Sequence, residues 1–575
     1  MSNKIASLLP MIHTVKHYRP KLAYADASAA IIVTLMLIPQ SLAYALLAGL
    51  PPEIGLYSSI LPLIAYAIFG TSTTLAVGPV AVISLMTGAT VAGINNEMGY
   101  SPTEIAIALS FLCGLLLLAM SALKLGFVVN FLSRSVIEGF IMASSILIII
   151  SQLKHILGVD AHGHALTETL SSLYQLLGDT HLPTLIMGSL ILICLLLSRF
   201  FFKSLLMRFG VSAHFADLAV RMSPAIMVVI SILVMNFTAV GEVGIRVVGY
   251  IPNGLPEFQL THLDARLFGQ LFVPALLIAI IGYVESISVA TRFAVKTKTT
   301  VDPNQELLAM GASNIASSVS GGMPVTGGFS RSVVNYDAGA KTQLSGVMAA
   351  ILIGLLASGL MTTLALLPKA TLAAAIIVAV ASLIDLKKLK ETWLFSKYDF
   401  SLTTITILTT LFAGVEIGVS VGIVLSVILH LYHTSQPHLA VVGLVPGTEH
   451  FRNVLRQDVE TVPEIIGIRI DESLYFANAA YLEKAVIEQV MQSPDAKYCV
   501  LLFSSVSDID ASALESLEGI YEKLSDMGVE LHLSEVKGPV MDKLQKTRLY
   551  EEIKENIHLS HYQAVSRLRN YTHHG

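Results

Sequence analysis

The chain has 575 residues, of which 54% are hydrophobic and only 13% are charged, and its mean hydropathy is +0.70. Soluble domains carry about 25% charged residues, so we expect most of this chain to lie in an apolar solvent. The shortage of charge is confined to the first 440 residues, because residues 441–575 hold 34 charged side chains. The net charge of −5 is small and argues against a nucleic-acid partner.

Apolar runs long enough to span or half-span a bilayer recur through the first 440 residues. Seven lie between positions 26 and 237, and seven more lie between positions 271 and 431. An odd number of spans in a repeat reverses the orientation of the next repeat. We therefore predict a polytopic α-helical membrane protein with about 14 transmembrane segments in two inverted 7-segment repeats, followed by a cytoplasmic α/β domain.

The charges that flank these runs predict the orientation of the chain. Acidic residues mark the loops on one side: Glu53, Glu97, Asp160, Glu168 and Asp179. Basic residues mark the other side: Lys16, Arg19, Lys21, Lys124, Arg199, Lys203, Arg208, Arg221, Arg292, Lys296, Lys298, Lys387, Lys388, Lys390 and Lys397. Loops rich in Lys and Arg remain on the cytoplasmic side of a membrane. Both termini lie on the basic side of this chain, so we expect them in the cytoplasm.

The last 140 residues alternate between strand-like and helix-like segments. Residues 465–470, 498–503 and 529–534 are predicted strands, and residues 479–492 and 511–526 are predicted helices. The predicted domains are a cytoplasmic N-terminal segment at 1–22, transmembrane repeat 1 at 23–237, an extracytoplasmic loop at 238–270, transmembrane repeat 2 at 271–434, and the cytoplasmic α/β domain and tail at 435–575.

Two of the predicted spans are short and interrupted by glycine or proline, and each is the third of its repeat. They are residues 73–82 (TTLAVGPVAV) and 323–332 (MPVTGGFSRS), and each has an extended stretch, a glycine and a helix start. Paired interruptions of this kind indicate a binding site at the middle of the membrane. Two helix N-termini that meet there would direct unpaired N–H groups at one point, which favours an anion. A pair of structural kinks is the alternative.

Ionisable residues inside apolar spans are candidates for function because they are costly to bury. Glu285 lies in the first span of the second repeat and is a candidate proton carrier. It would otherwise coordinate sodium with a nearby hydroxyl, from Ser286 or Ser288, or form a structural pair with Arg331. Arg331 would bind the anion or extend past a helix end towards water.

The first span contains a proline followed by two polar side chains on one helical face. Pro39 interrupts the helix ladder, and Gln40 and Tyr44 are four residues apart. An amide and a phenol suit the wall of a small polar cavity. Interhelical hydrogen bonding is the alternative role for both residues.

At these residues the sequence resembles the SulP/SLC26 (sulfate permease) family of anion transporters. The similar motifs are residues 38–45, 48–52, 55–57, 77–81 and 324–336, and the C-terminal domain resembles a STAS domain. The resemblance implies a fold with core and gate domains, an elevator motion and a homodimer. It also implies that the anion is bound by Gln40, Tyr44, Val80, Ala81, Phe329, Ser330 and Arg331, and that Glu285, with Ser288, handles the coupling ion.

Two positions depart from the pattern of that family. Val289 stands four residues after Glu285, where sodium-dependent bicarbonate members tend to carry a hydroxyl. Ala511 follows Asp510 in the STAS loop, where anti-sigma antagonists carry a phosphorylated serine. The first departure weakens a sodium site, and the second weakens phosphoregulation of the C-terminal domain.

These observations lead to one expected function. We predict a secondary active transporter, most simply a proton-coupled sulfate importer, that is not an enzyme and needs no cofactor or metal. The expected location is the cell inner (plasma) membrane, with the lipid bilayer and an unknown cytoplasmic partner of the STAS domain as its other contacts. The alternatives are sodium-coupled bicarbonate transport, dicarboxylate transport, a nucleobase carrier and a membrane-anchored STAS scaffold.

Overall fold

The computed structural model describes residues 9–127, 133–161, 163, 166–252, 254, 265–359 and 361–574. Residues 1–8 of the predicted N-terminal segment, and residues 253 and 255–264 of the predicted loop at 238–270, lie outside the described residues. The chain forms two compact units, Met1–Ser426 and Val427–Gly575. The division falls inside the last apolar helix, Val415–Thr434.

The first unit is almost entirely helical. The helices of its first half are α1 Pro10–Lys16, α2 Pro20–Leu47, α3 Pro52–Tyr57, α4 Leu61–Phe69, α5 Ala81–Met98, α6 Pro102–Ala122, α7 Arg134–Leu157, α8 Leu166–Gln175, α9 Leu182–Leu197, α10 Lys203–Arg208 and α11 Ala213–Phe237. Those of its second half are α12 Ala265–Thr297, α13 Pro303–Val319, α14 Phe329–Asp337, α15 Leu344–Gly359, α16 Met361–Leu364, α17 Lys369–Ala381, α18 Leu386–Phe395, α19 Lys397–Ala413 and α20 Val415–Thr434.

Many of these helices are suited to a membrane. Nine helical stretches among the described residues are long and apolar enough to cross a bilayer, and two shorter apolar helices accompany them. The predicted polytopic helical unit is therefore confirmed. The number of 14 segments stays a prediction.

Small residues let α6 and α13 pack closely. A Cβ added at Gly114 or Gly311 would lie 2.8 Å from a side chain of the opposite helix. The Ser110 hydroxyl also donates to the Asn314 carbonyl across this contact, at 3.0 Å. In lipid the hydrophobic effect does not drive helices together. Close packing at small residues and interhelical hydrogen bonds stabilise their association instead.

The helices of the first unit pack in two groups. In one group α13 contacts α4 and α6, α12 contacts α6, and α15 contacts α2. In the other, α7 contacts α17 and α19, and α9 contacts α17. A separate apolar cluster, which includes Ile156, Ile191 and Ile377, joins α7, α9 and α17 of the second group.

The first unit also contains two very short strands, β1 (Val77–Gly78) and β2 (Thr326–Gly327). They pair in antiparallel register, although about 250 residues separate them in sequence. The predicted form of both interrupted spans, an extended stretch followed by a helix, is confirmed.

The second unit is an α/β domain around a six-stranded sheet with the order β4-β3-β5-β6-β7-β8. The strands are β3 Leu439–Leu444, β4 Phe451–Asn453, β5 Ile465–Ile470, β6 Tyr498–Leu502, β7 Glu530–Ser534 and β8 Ile557–His558. The helices are α21 Ala479–Met491, α22 Ala511–Asp526, α23 Gly538–Leu544, α24 Arg548–Ile553 and α25 His561–His574. The three predicted strands and two predicted helices are confirmed.

Candidate functional site

The paired strands bring the starts of two helices together. α5 begins three residues after Gly78, and α14 begins two residues after Gly327. The N-cap residues, Val80 and Gly328, lie against each other, because a Cβ added at Gly328 would come 3.0 Å from a Val80 methyl carbon. Valine and glycine have no side-chain acceptor, so neither N-cap residue caps the free N–H groups of its helix. Both positive helix ends therefore face a shared space.

Arg331 lies in the first turn of α14 and is only 2% exposed. One guanidinium nitrogen, Nη2, donates to the carbonyl of Pro79, and the guanidinium carbon lies 5.8 Å from the centre of the Tyr44 ring. Among the described residues, Nη1 is buried without a hydrogen-bond partner. Burial on this scale excludes a side chain that extends to water, and the unpartnered donor suits an anion.

Glu285 lies on α12 and is half-buried. Its charge interacts with Arg331, but no direct ion pair joins the two side chains. The predicted partner Ser288 is exposed one turn further along the helix, and its carbonyl accepts a bond from Thr291. The other hydroxyl, Ser286, is occupied, because it accepts the Gly327 N–H at 2.8 Å.

The remaining predicted site residues divide by exposure. Tyr44, Val80 and Ala81 are buried beside the helix starts. Gln40 lies one turn before Tyr44 on α2, and within the described part of the chain its buried Oε1 has no hydrogen-bond partner. Phe329 is 40% exposed, and Ser330 is also exposed. The structure thus provides buried and accessible surfaces at the same pair of helix starts.

Sequence reasoning missed the polar side chains that support β2. Asn314 on α13 both donates to the Val325 carbonyl and accepts the Val325 N–H, at 3.0 Å each, as a neighbouring strand would. Ser317 donates to the Met323 carbonyl, and Ser58 accepts the Met323 N–H. Irregular backbone inside a membrane needs such partners because lipid supplies none.

Two residues of α14 support β1 in the same way. Ser332 accepts the Ala76 N–H at 3.0 Å, and Asn335 donates to the Thr74 carbonyl at 3.1 Å. The first strand is therefore held by side chains from the opposite half of the sequence, and the second strand is held from both halves, by Ser58 and by residues of α13. Polar residues on α13 and α14 are visible in the sequence and indicate that partners exist. The sequence does not identify the backbone groups to which they are hydrogen-bonded.

Two buried carboxylates were also missed. Glu306 is 0% exposed and accepts bonds from the Tyr66 hydroxyl, the Thr71 hydroxyl and N–H, and the Ser72 N–H. Asp26 accepts bonds from the backbone of Lys341 and Thr342. Each carboxylate fixes a loop of the other half of the first unit. Their hydrogen bonds explain why they are tolerated in the interior.

The bundle of apolar helices and the two facing helix starts define a multi-pass membrane transporter with an α/β domain at its C-terminal end. The chain belongs to the Sulfate permease family, whose model matches residues 24–406, and the STAS domain model matches residues 456–564. The family predicted from the motifs is therefore confirmed.

Relatives in plants are similar over most of the chain. "Sulfate transporter 4.1, chloroplastic" of Arabidopsis thaliana is 35% identical over 550 residues, which cover 92% of this chain and 78% of the relative. "High affinity sulfate transporter 2" of Stylosanthes hamata is 30% identical over 96% of this chain and 84% of its own.

Two solved structures have a similar fold. The murine solute carrier 26 family member A9 anion transporter, in its inward-facing state, superposes with a TM-score of 0.90 at 23% identity, over 99% of this chain and 95% of that one. The transmembrane domain of a cyanobacterium bicarbonate transporter reaches a TM-score of 0.58 at 22% identity, over 71% of this chain and 98% of that one. The predicted fold of a helical membrane unit followed by a STAS domain is confirmed.

Proposed function

We propose that this protein imports sulfate together with protons, and that the anion binds at the facing starts of α5 and α14. The observation that carries the proposal is Arg331, a buried cation with an unpartnered donor beside two positive helix ends. Sulfate is proposed as the substrate because the plant relatives described above are named sulfate transporters.

Glu285 is the proposed proton carrier. When Glu285 is ionised, its negative charge opposes an anion in the same space and partly neutralises Arg331. A proton on Glu285 removes both effects, so proton and anion favour each other's binding. Gln40, Tyr44, Val80, Ala81, Phe329 and Ser330 complete the proposed anion site, and the exposed Ser288 is proposed to act with Glu285 on the coupling ion.

The transport step is proposed to be an elevator movement of one helix group against the other. The grouping of α4, α6, α12 and α13 apart from α7, α9, α17 and α19 supports this proposal, since packed groups move as units. We also propose a homodimer in the cell inner membrane with both termini in the cytoplasm, and a cytoplasmic partner for the STAS domain.

Uptake of labelled sulfate into proteoliposomes tests the coupling. Inward proton and inward sodium gradients are imposed separately on the wild type and on Glu285→Gln. We expect sulfate to accumulate under the proton gradient in the wild type only. Since glutamine resembles a protonated glutamate, the variant should still exchange external for internal sulfate.

Glu138→Gln is the matched control, because Glu138 is a helix carboxylate that pairs with Lys388. It should keep proton-driven accumulation. Proton-driven accumulation by Glu285→Gln would remove Glu285 from the mechanism. Bicarbonate uptake under sodium, with no sulfate uptake under either gradient, would replace the proposal with sodium-coupled bicarbonate transport.

A further inference from the structure

A cavity of about 250 Å³ opens beside the sheet of the second unit, between β3, β5 and α25. Polar and apolar surface line it about equally, and the apolar part includes the aliphatic side chains of Val442, Leu444, Val462, Ile465 and Val565. Ligand pockets for drug-sized molecules usually measure about 300–1,000 Å³. This cavity is therefore suited to a smaller molecule.

One polar atom in the cavity wall has no partner. His561 is 1% exposed, and its Nδ1 lies 2.8 Å from the Ser534 hydroxyl oxygen. The tautomer with its hydrogen on His561 Nδ1 satisfies both groups, because the Ser534 oxygen can accept that hydrogen while the Ser534 hydroxyl donates to the Leu501 carbonyl, at 3.5 Å. In the part of the chain that is described, Nε2 of His561 is buried without a hydrogen-bond partner.

The protonation state of His561 makes this atom an acceptor. Burial, with a contribution from the neighbouring His558, lowers the pKa of His561 to about 4. The ring is therefore neutral at pH 7 and carries one hydrogen. In the tautomer with that hydrogen on Nδ1, Nε2 keeps an unused lone pair behind the cavity wall.

Two neighbours shape the space around Nε2. A Cβ added at Gly467 would come 2.7 Å from Nε2, so the imidazole packs closely against this glycine and a larger residue would displace it. The Phe451 ring stands edge-on to the imidazole, with ring centres 4.5 Å apart. Glu460 and Arg569 both line the cavity, and their opposite charges give neither an anion nor a cation a net advantage.

We propose that this cavity binds a small neutral aromatic molecule whose N–H or O–H donates to Nε2 of His561. The aliphatic wall and the Phe451 ring take the flat apolar body, and His561 selects for the donor. Without the donor, the molecule would leave a buried acceptor unsatisfied.

Indole and N-methylindole test this proposal, because they share a ring system and differ in the one donor. Binding to the full-length protein in detergent is followed by saturation-transfer NMR. We expect indole to bind about tenfold more tightly than N-methylindole, the effect of one hydrogen bond. His561→Phe should abolish that difference and leave N-methylindole binding unchanged. Partition of the two indoles into detergent micelles is the same in samples of the wild type and of His561→Phe, so it does not affect the comparison.

Gly467→Ala is a second variant, designed to displace Nε2 with a methyl group. It should weaken indole binding, whereas Gly538→Ala, with open space around the added methyl group, should not. Hydrogen exchange of the β6 peptide reports whether each variant is folded. Equal affinity of the wild type for the two indoles would overturn the proposal, as would unchanged indole binding by a folded His561→Phe protein.

Discussion

Gly78 sets the position of the Arg331 guanidinium. A Cβ at Gly78 would overlap Nη1 of Arg331, because the two atoms would lie closer than non-bonded atoms approach. The guanidinium is buried and already donates to Pro79, so a methyl group at position 78 would displace it. The strand therefore needs glycine for the cation to face the helix starts.

Gly78→Ala is expected to remove sulfate uptake while the protein still folds. The guanidinium can shift at the end of a flexible side chain, but a shift of about 1 Å is enough to cost about a hundredfold in a positioned site. Initial uptake rates in proteoliposomes, with melting temperature as the folding check, measure the two effects. Gly93→Ala, in open space on α5, is the control and should keep full uptake. Normal uptake by Gly78→Ala would show that the position of Arg331 is unimportant.

Sequence alone predicted the facing helix starts but not their supports. Glycine and proline interrupt an apolar pattern visibly, so residues 73–82 and 323–332 could be recognised without a structure. Asn314 offers no such signal, because its role depends on which strand passes beside α13. A polar residue on an apolar helix indicates that a partner exists, and only the fold identifies it.

Ser286 connects two elements, α12 and β2. Its hydroxyl accepts the Gly327 N–H at 2.8 Å and lies 2.7 Å from the Thr326 hydroxyl, which also donates to the Gly282 carbonyl. The strand that positions α14 is thus attached to the helix that carries Glu285. We expect the proposed proton carrier and anion site to depend on this attachment.

Ser286→Ala should lower the free energy of unfolding by about 1–3 kcal/mol, because it leaves the buried Gly327 N–H unsatisfied. It should also raise the KM for sulfate. Ser288→Ala removes an exposed hydroxyl two residues away and should change stability by no more than about 0.5 kcal/mol. Denaturation of both variants provides the stability comparison, and uptake kinetics of Ser286→Ala give its KM. Equal losses of stability in the two variants would contradict the assignment.

The elements of the STAS domain show where sequence patterns are too short to interpret. The predicted helix 511–526 matches α22, since apolar residues recur along it and Asp510 accepts the Ala513 N–H as a cap. β4 and β8 were missed because they have three and two residues. Alternation cannot be recognised over so few positions. β3 was missed because it follows the last apolar helix closely.

Buried histidines make the stability of the second unit dependent on pH. Burial lowers the pKa of His532 and His561 to about 4, and burial with the nearby Arg567 also lowers the pKa of His558. The ordinary pKa of histidine is about 6.5. Between pH 6.5 and 4 the unfolded chain therefore binds more protons than the folded one. Stability should be full above pH 6.5 and should fall as the pH drops.

Hydrogen exchange of the β6 peptide in the full-length protein, corrected for intrinsic rates, measures this effect. The free energy of opening should fall between pH 6.5 and 4.5 by up to about 1.4 kcal/mol per pH unit for each proton taken up. His561→Phe removes one of the three groups and should make the decrease shallower. A pH-independent free energy of opening would show that these histidines titrate alike in both states.

All residues of the proposed transport mechanism, from Gln40 to Arg331, belong to the first unit, so proton coupling should not require a continuous chain to the STAS domain. A protease site introduced at residues 435–437, in the loop between α20 and β3, tests this in reconstituted protein. We expect cleavage after reconstitution to leave the proton dependence of sulfate uptake unchanged, since it breaks none of the contacts around Arg331 and Glu285. Wild-type protein treated with the same protease controls for cleavage elsewhere. Uptake that stops on cleavage would place part of the transport machinery in the STAS domain.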